Sequence, residues 1–253
     1  MVATSLALLV LLAAPLPATP LDFIEVPAGG FVSAVKYEGD DRVQPVAGFA
    51  MSQRPVTVGE FEVFVRANPQ WQRDGVPSLL ADGGYLARWQ DAGVAGGGFD
   101  ADAPVTQVSW FAADAYCRSI GARLPDWLEW EYVAAADPAR SDARDDATWR
   151  KRLLDDGTPR AVDARADAAP NAYGISGLHG AVWEWVGDFS TLLGDADMRG
   201  SENGDRLKFC GATGLSFANR DDYALLKRVA LLAGMESRST LANLGFRCVR
   251  SSP

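Results

Sequence analysis

Few residues in this chain could do chemistry, and their types limit what that chemistry is. In 253 residues there are three cysteines, Cys117, Cys210 and Cys248, and one histidine, His179. A thiolate is a nucleophile and a soft metal ligand. Cys210 lies in KFCGATG, Lys208 to Gly214, and by type alone it is open to three readings. It is a working thiol, one half of a disulfide, or a small buried apolar residue. The single imidazole excludes a centre built from two or three histidines, such as a His-rich zinc site or a facial-triad iron. A lone His179 reads as a packed or surface side chain before it reads as a ligand.

The other polar residues of note sit in tryptophan-rich stretches. Arg123, Glu129 and Glu131 belong to ARLPDWLEWEY, Glu184 lies between Trp183 and Trp185, and Arg247 lies near the end in GFRCVR. Large indoles anchor cores, and each buried indole N–H needs an acceptor. Buried arginine–carboxylate pairs fix loops that lack backbone ladders. Arg123, Glu129, Glu131, Trp183, Trp185 and Arg247 therefore read as structural rather than catalytic.

The elements that must position these residues are short. LDFIEVPAGGFVSAV holds apolar stretches split by Pro27 to Gly30, the pattern of short strands around a turn. Thr57 and Glu60 form a capping box, with Phe61, Phe64 and Val65 on one face of the helix that follows. Residues 69–104, rich in Gly, Asp and Trp, read as a long surface loop. Val105 to Val108 reads as a strand, Ser109 as the cap of a helix to Ile120, and Gly121 as its stop. Asp126 and Glu129 box a helix over Trp127–Ala136. Residues 137–169 are Asp-, Arg- and Ala-rich and read as a solvated insertion, apart from the apolar positions of WRKRLL. NAYGISGLHGAVWEWVGDF reads as short strands with tight glycine turns, and NLGFRCVR as a final strand. In NRDDYALLKRVALLAGMESR, Asn219 or Asp221 caps a helix ended by Gly234, with Tyr223, Leu226, Ala230 and Leu231 on one face. Pieces from both ends and two central helices share one core, which is an irregular α+β domain.

Composition narrows the partners. Apolar residues make up 48% of the chain, enough for a folded core. A net charge of -9 repels phosphate backbones, so nucleic acid is not an expected partner. Residues 1–18 carry an apolar run from Leu6 to Leu12, then Pro15, Pro17 and a small Ala18. That is signal-peptide length and too short to span a bilayer, so export to the periplasm or outside the cell is expected, with no membrane span after cleavage. An oxidising compartment permits a disulfide.

RPVTVGEFEVFV, PVTQVSWFAADAYCRSIGARLPDWLEWEYVAAA, NAYGISGLHGAVWEW and NLGFRCVR, in this order, resemble the formylglycine-generating enzyme, or sulfatase-modifying factor, family. The resemblance spans residues 22–250. It implies that family's variant of the C-type lectin fold, with little regular secondary structure. It also implies a disulfide between Cys117 and Cys248. In the family's active members two thiolates of one segment hold copper, which activates oxygen and binds a substrate cysteine. Here Met198 to Ser201 resembles the start of that segment, but ENGDRLK intervenes before Cys210 and no second cysteine follows. The resemblance thus leaves Cys210 as the one candidate catalytic and copper-binding thiol. It further implies calcium at Gly180, Val182 and Glu184, although Gly177 and Ala181 stand where the family has side-chain oxygens. The segment after Cys210 is similar to a divergent exported branch found near nitrite-reductase and copper-related genes.

Two functions follow from the resemblance. One is an oxidative maturation factor acting on a cysteine of a protein substrate. The other is a non-catalytic periplasmic module that holds a protein partner. Carbohydrate binding is a third and weaker idea, since it rests on fold analogy alone.

Overall fold

The structure is a computed structural model that describes residues 21–35, 42–156, 169–192 and 223–252. The expected signal peptide, Met198, and Cys210 with its KFCGATG stretch lie outside the described residues. In chain order the strands are β1 (Phe23–Val26), β2 (Gly29–Phe31), β3 (Gln44–Val46), β4 (Phe49–Ser52), β5 (Trp183–Trp185), β6 (Leu244–Phe246) and β7 (Val249–Ser251). The helices are α1 (Val58–Ala67), α2 (Trp110–Ser119), α3 (Trp127–Ala134), α4 (Ala147–Asp156) and α5 (Tyr223–Ala233). The architecture is α+β, with every element short.

The two ends of the chain meet in one antiparallel sheet of order β1-β4-β7. Phe49 pairs with Val26 on one side and with Ser251 on the other. β2 and β3 form a second antiparallel pair, and β5 and β6 a parallel one, with Trp183 opposite Leu244 and Trp185 opposite Phe246. The parallel pair needs Gly245, because a Cβ there would run into the backbone oxygen of Val105. One core runs through all three sheets and includes Phe49, Met51, Phe61, Trp130, Trp185, Leu232 and Phe246.

Helix starts follow local rules. Thr57 and Glu60 close a capping box on α1, and Phe61, Phe64 and Val65 are its buried face. Ser109 Oγ accepts the Ala112 N–H at the start of α2, and Gly121 ends that helix with φ +68°. Glu129 returns to the Asp126 N–H at 2.9 Å to open α3. Glycines 174, 177 and 180 all have positive φ, as tight turns require.

Four expectations need correction. Val105 to Val108 is not a strand: Val105 donates to Val56, but Gln107 turns to φ +57° and ends the extended run. Residues 69–104 are not simply a surface loop, since Tyr85, Leu86 and Trp89 are buried and join the core. The 137–169 stretch is not wholly solvated. It contains α4, whose Trp149 and Leu153 pack with Ala143 in a small separate cluster. In α5 Leu226 is buried as expected, but Ala230 is exposed, and the buried stripe also takes in Leu225, Arg228, Val229 and Leu232.

Candidate functional site

The site is built on α3. Helical spacing puts Trp127, Trp130 and Glu131 on the inward face. The two indoles stack, with ring centroids 5.6 Å apart and planes at 29°. Each then donates its N–H to a different buried carboxylate. Trp127 donates to Glu131 at 2.7 Å, and Trp130 donates to Glu184 at 2.7 Å.

Glu184 comes from β5, and Arg247 follows directly on its parallel partner β6. Arg247 grips the carboxylate in a fork. Its Nε donates to Oε2 and its Nη2 to Oε1, both at 2.8 Å. Nη2 also donates to the Ser176 carbonyl and Nη1 to that of Ser52, so the pair ties β4, β5 and β6 together. Both side chains are fully buried.

A second guanidinium joins this cluster. Arg228, from the buried stripe of α5, lies over the Trp130 ring at 3.9 Å and near the Trp183 ring at 5.0 Å. It is 4% exposed, and its Nη2 donates to the Leu178 carbonyl at 3.1 Å. Its Nη1 is buried and has no hydrogen-bond acceptor among the described residues. Burial pushes its pKa down to about 10, against the attraction of Glu184, so it stays charged near neutrality.

Among the described residues no guanidinium is hydrogen-bonded to Glu131. Its carboxylate accepts from Ser33 Oγ at 2.5 Å, from the Ala34 N–H at 2.7 Å and from Trp127. Burial drives its pKa up to about 7, and these hydrogen bonds hold it from rising further.

His179 packs edge-on to Trp130 and Trp149. Its Nε2 lies 2.7 Å from the Ala134 carbonyl, which can only accept, so the proton sits on Nε2. Burial lowers its pKa to about 4 and keeps the ring neutral. With Trp149, Asp137 and Asn171 it lines a cavity of about 210 Å³. Asp137 and Asn171 already spend their oxygens on Arg140 and on nearby backbone N–H groups.

Arg123 bonds Glu129 through two N–H groups, at 2.7 and 2.6 Å, and does not reach Glu131 or Glu184. Trp185 donates to the Val108 carbonyl at 3.0 Å. Cys117 of α2 and Cys248, just after β6, form a disulfide with Cα atoms 5.6 Å apart. The structure thus brings Glu184, Arg247, Trp183 and Trp130 into one cluster, with the disulfide against the Arg247 backbone, whereas Arg123 pairs with Glu129 instead.

The calcium donor set suggested by the resemblance does not fit this arrangement. Both Glu184 oxygens already accept from Trp130 or Arg247. Among the described residues no group of three or more His, Cys, Asp or Glu could hold a metal. The residue that sequence reasoning missed is Arg228. The signal was the i, i+3, i+4, i+7 stripe of Leu225, Arg228, Val229 and Leu232, which a purely apolar reading passes over.

Comparison with known proteins gives consistent results. The family described as sulfatase-modifying factor enzyme 1-like domain matches residues 12–252. The formylglycine-generating enzyme of Streptomyces coelicolor is 32% identical over 169 residues, covering 59% of this chain and 53% of that relative. The Bos taurus formylglycine-generating enzyme is 28% identical over 292 residues, covering 92% of this chain and 75% of that protein. The inactive C-alpha-formylglycine-generating enzyme 2 of Mus musculus is 28% identical over 253 residues, covering 85% and 79%. The chain spans about half the length of the Streptomyces relative and three quarters of the bovine one.

Proposed function

The chain belongs to the sulfatase-modifying factor enzyme 1-like family, and from that premise we propose that it is an exported member that engages a polypeptide partner without building a two-thiolate copper centre of its own. The observation that carries this reading is the Cys117–Cys248 disulfide. The chain has three cysteines, so the bridge leaves Cys210 alone. One thiol is too few for the two-thiolate copper site that the resemblance implies. No chemical step is therefore assigned to copper.

The tryptophan and arginine framework joins segments from both halves of the chain through Glu184 and Arg247. Such a frame suits a surface that receives an extended peptide, and assembly of a metalloenzyme outside the cytoplasm is a fitting task for it. Among the described residues no helix is long and apolar enough to cross a membrane. Residues 1–18 supply the export signal in this reading.

A second reading is favoured by the match to a formylglycine-generating enzyme over 92% of the chain. In it the protein is an oxidative maturation factor, and Cys210 and a substrate cysteine together supply two thiolates. A Cu(I) competition titration separates the two, run on the mature protein with its disulfide intact and on Cys210→Ser. The binding reading predicts no tight Cu(I) in either protein. One tightly bound Cu(I) in the wild type and none in the variant would overturn it in favour of the oxidative reading.

A further inference from the structure

We propose that the Arg228 guanidinium is the cation of the Leu178–Glu184 loop, and that this loop is held by an internal arginine and takes no calcium. The resemblance assigns a divalent cation to Gly180, Val182 and Glu184. The structure puts a different positive charge at the same turn. Arg228 touches the loop at both ends, donating to the Leu178 carbonyl and lying against the Trp183 ring. Its other face covers Trp130, whose N–H is bonded to Glu184.

Three physical points support the assignment. The first is the donor count. Calcium takes six to eight oxygens, whereas Gly177 and Ala181 have no side-chain oxygen and Glu184 already accepts three N–H groups. The second is charge. Arg228 and Arg247 face one carboxylate, so the buried cluster already carries an excess of positive charge, and a divalent ion would add to it. The third is the lining. The Arg228 Nη1 donor has no acceptor among the described residues, and the guanidinium carbon lies over the Trp130 and Trp183 rings. A guanidinium is favourable against aromatic faces, while a calcium ion there would lose its oxygen shell.

The inference also explains why an arginine occupies the buried stripe of α5. That helix supplies the ion, so docking α5 and closing the loop become one event.

The test uses the mature chain with its disulfide intact. Bound calcium is measured by elemental analysis after dialysis against calcium chloride and then metal-free buffer. Melting is followed in calcium and in EGTA, for wild type, Arg228→Met and Arg228→Lys. The wild type is expected to retain no stoichiometric calcium and to show the same Tm in both buffers. Arg228→Met is expected to lower the Tm in both buffers, and Arg228→Lys to recover part of the loss. Retention of about one calcium per chain, or a higher wild-type Tm in calcium, overturns the proposal. So does a wild-type Tm in Arg228→Met, which would show that the guanidinium holds nothing. If Arg228→Met does not fold, the wild-type calcium measurement still decides.

Discussion

Two buried carboxylates sit side by side in this protein, served by neighbouring indoles of one helix. Glu131 and Glu184 are both 0% exposed, and each takes a tryptophan N–H at 2.7 Å. They differ in how their charge is met. Glu184 lies in the fork of Arg247 and in the field of Arg228. Glu131 accepts from Ser33, the Ala34 N–H and Trp127, and the charge of Arg144 also favours its ionised form. Burial raises the Glu131 carboxyl to a pKa of about 7, against these hydrogen bonds and the field of Arg144. The comparison teaches that one carboxylate is held in an arginine fork, whereas the other is a carboxyl whose charge depends on ordinary changes of pH.

The largest effect should come from breaking the fork. Glu184→Gln leaves two buried guanidiniums without their carboxylate and should cost about 3–5 kcal/mol of stability at any pH near neutrality. Urea unfolding measures it. A loss below about 1 kcal/mol would mean the pair is as weak as a surface one.

Glu131→Gln sharpens the comparison through pH. The folded pKa of Glu131 is raised from 4.5 to about 7. Its contribution to stability is therefore fully present below pH 4.5 and is lost as pH rises through 7. The variant has no such loss. Its stability relative to wild type should thus rise by about 3 kcal/mol between the two ends of that window. His179 runs the other way. Its folded pKa falls from 6.5 to about 4, so its contribution is present above pH 6.5 and is lost as pH falls through 4. In wild type the two slopes oppose each other where their windows overlap, and Glu131→Gln should expose the histidine slope. A variant curve parallel to that of wild type would show that Glu131 does not titrate in this range.

The smallest effect belongs to an exposed pair. Arg118 and Asp114 lie one turn apart on α2, with Arg118 73% exposed. Arg118→Ala should change stability by less than about 0.5 kcal/mol. A larger loss would mean that ion pairs in this fold matter wherever they are, and the contrast between buried and exposed pairs would fail.

What could be read in the sequence was local. The boxes at Thr57–Glu60 and Asp126–Glu129, and the cap at Ser109, are patterns that span four residues. Arg123 and Glu129 are six residues apart, and they do meet. Glu184 and Arg247 are 63 apart, so only their setting among tryptophans and strands hinted at a structural role, and the motif could not say which carboxylate each arginine takes. Val105 to Val108 has strand composition, but Gln107 leaves the extended region, and nothing in its side chain announces that. Trp149 and Leu153 were hard to read as buried because the charges of WRKRLL surround them. Arg228 was hidden for a related reason: an arginine in a helix is normally assigned to the solvent face, and only a tertiary aromatic box reverses that assignment.

The most direct test of this account is a double-mutant cycle on Glu184→Gln and Arg228→Met, measured by urea unfolding at neutral pH. If Arg228 is the buried cation balanced by Glu184, the double variant should be less destabilised than the sum of the single ones, with a coupling of at least about 1 kcal/mol. Additivity within about 0.5 kcal/mol would contradict the account, because it would leave Arg228 and Glu184 as independent residues that happen to share a wall of tryptophans.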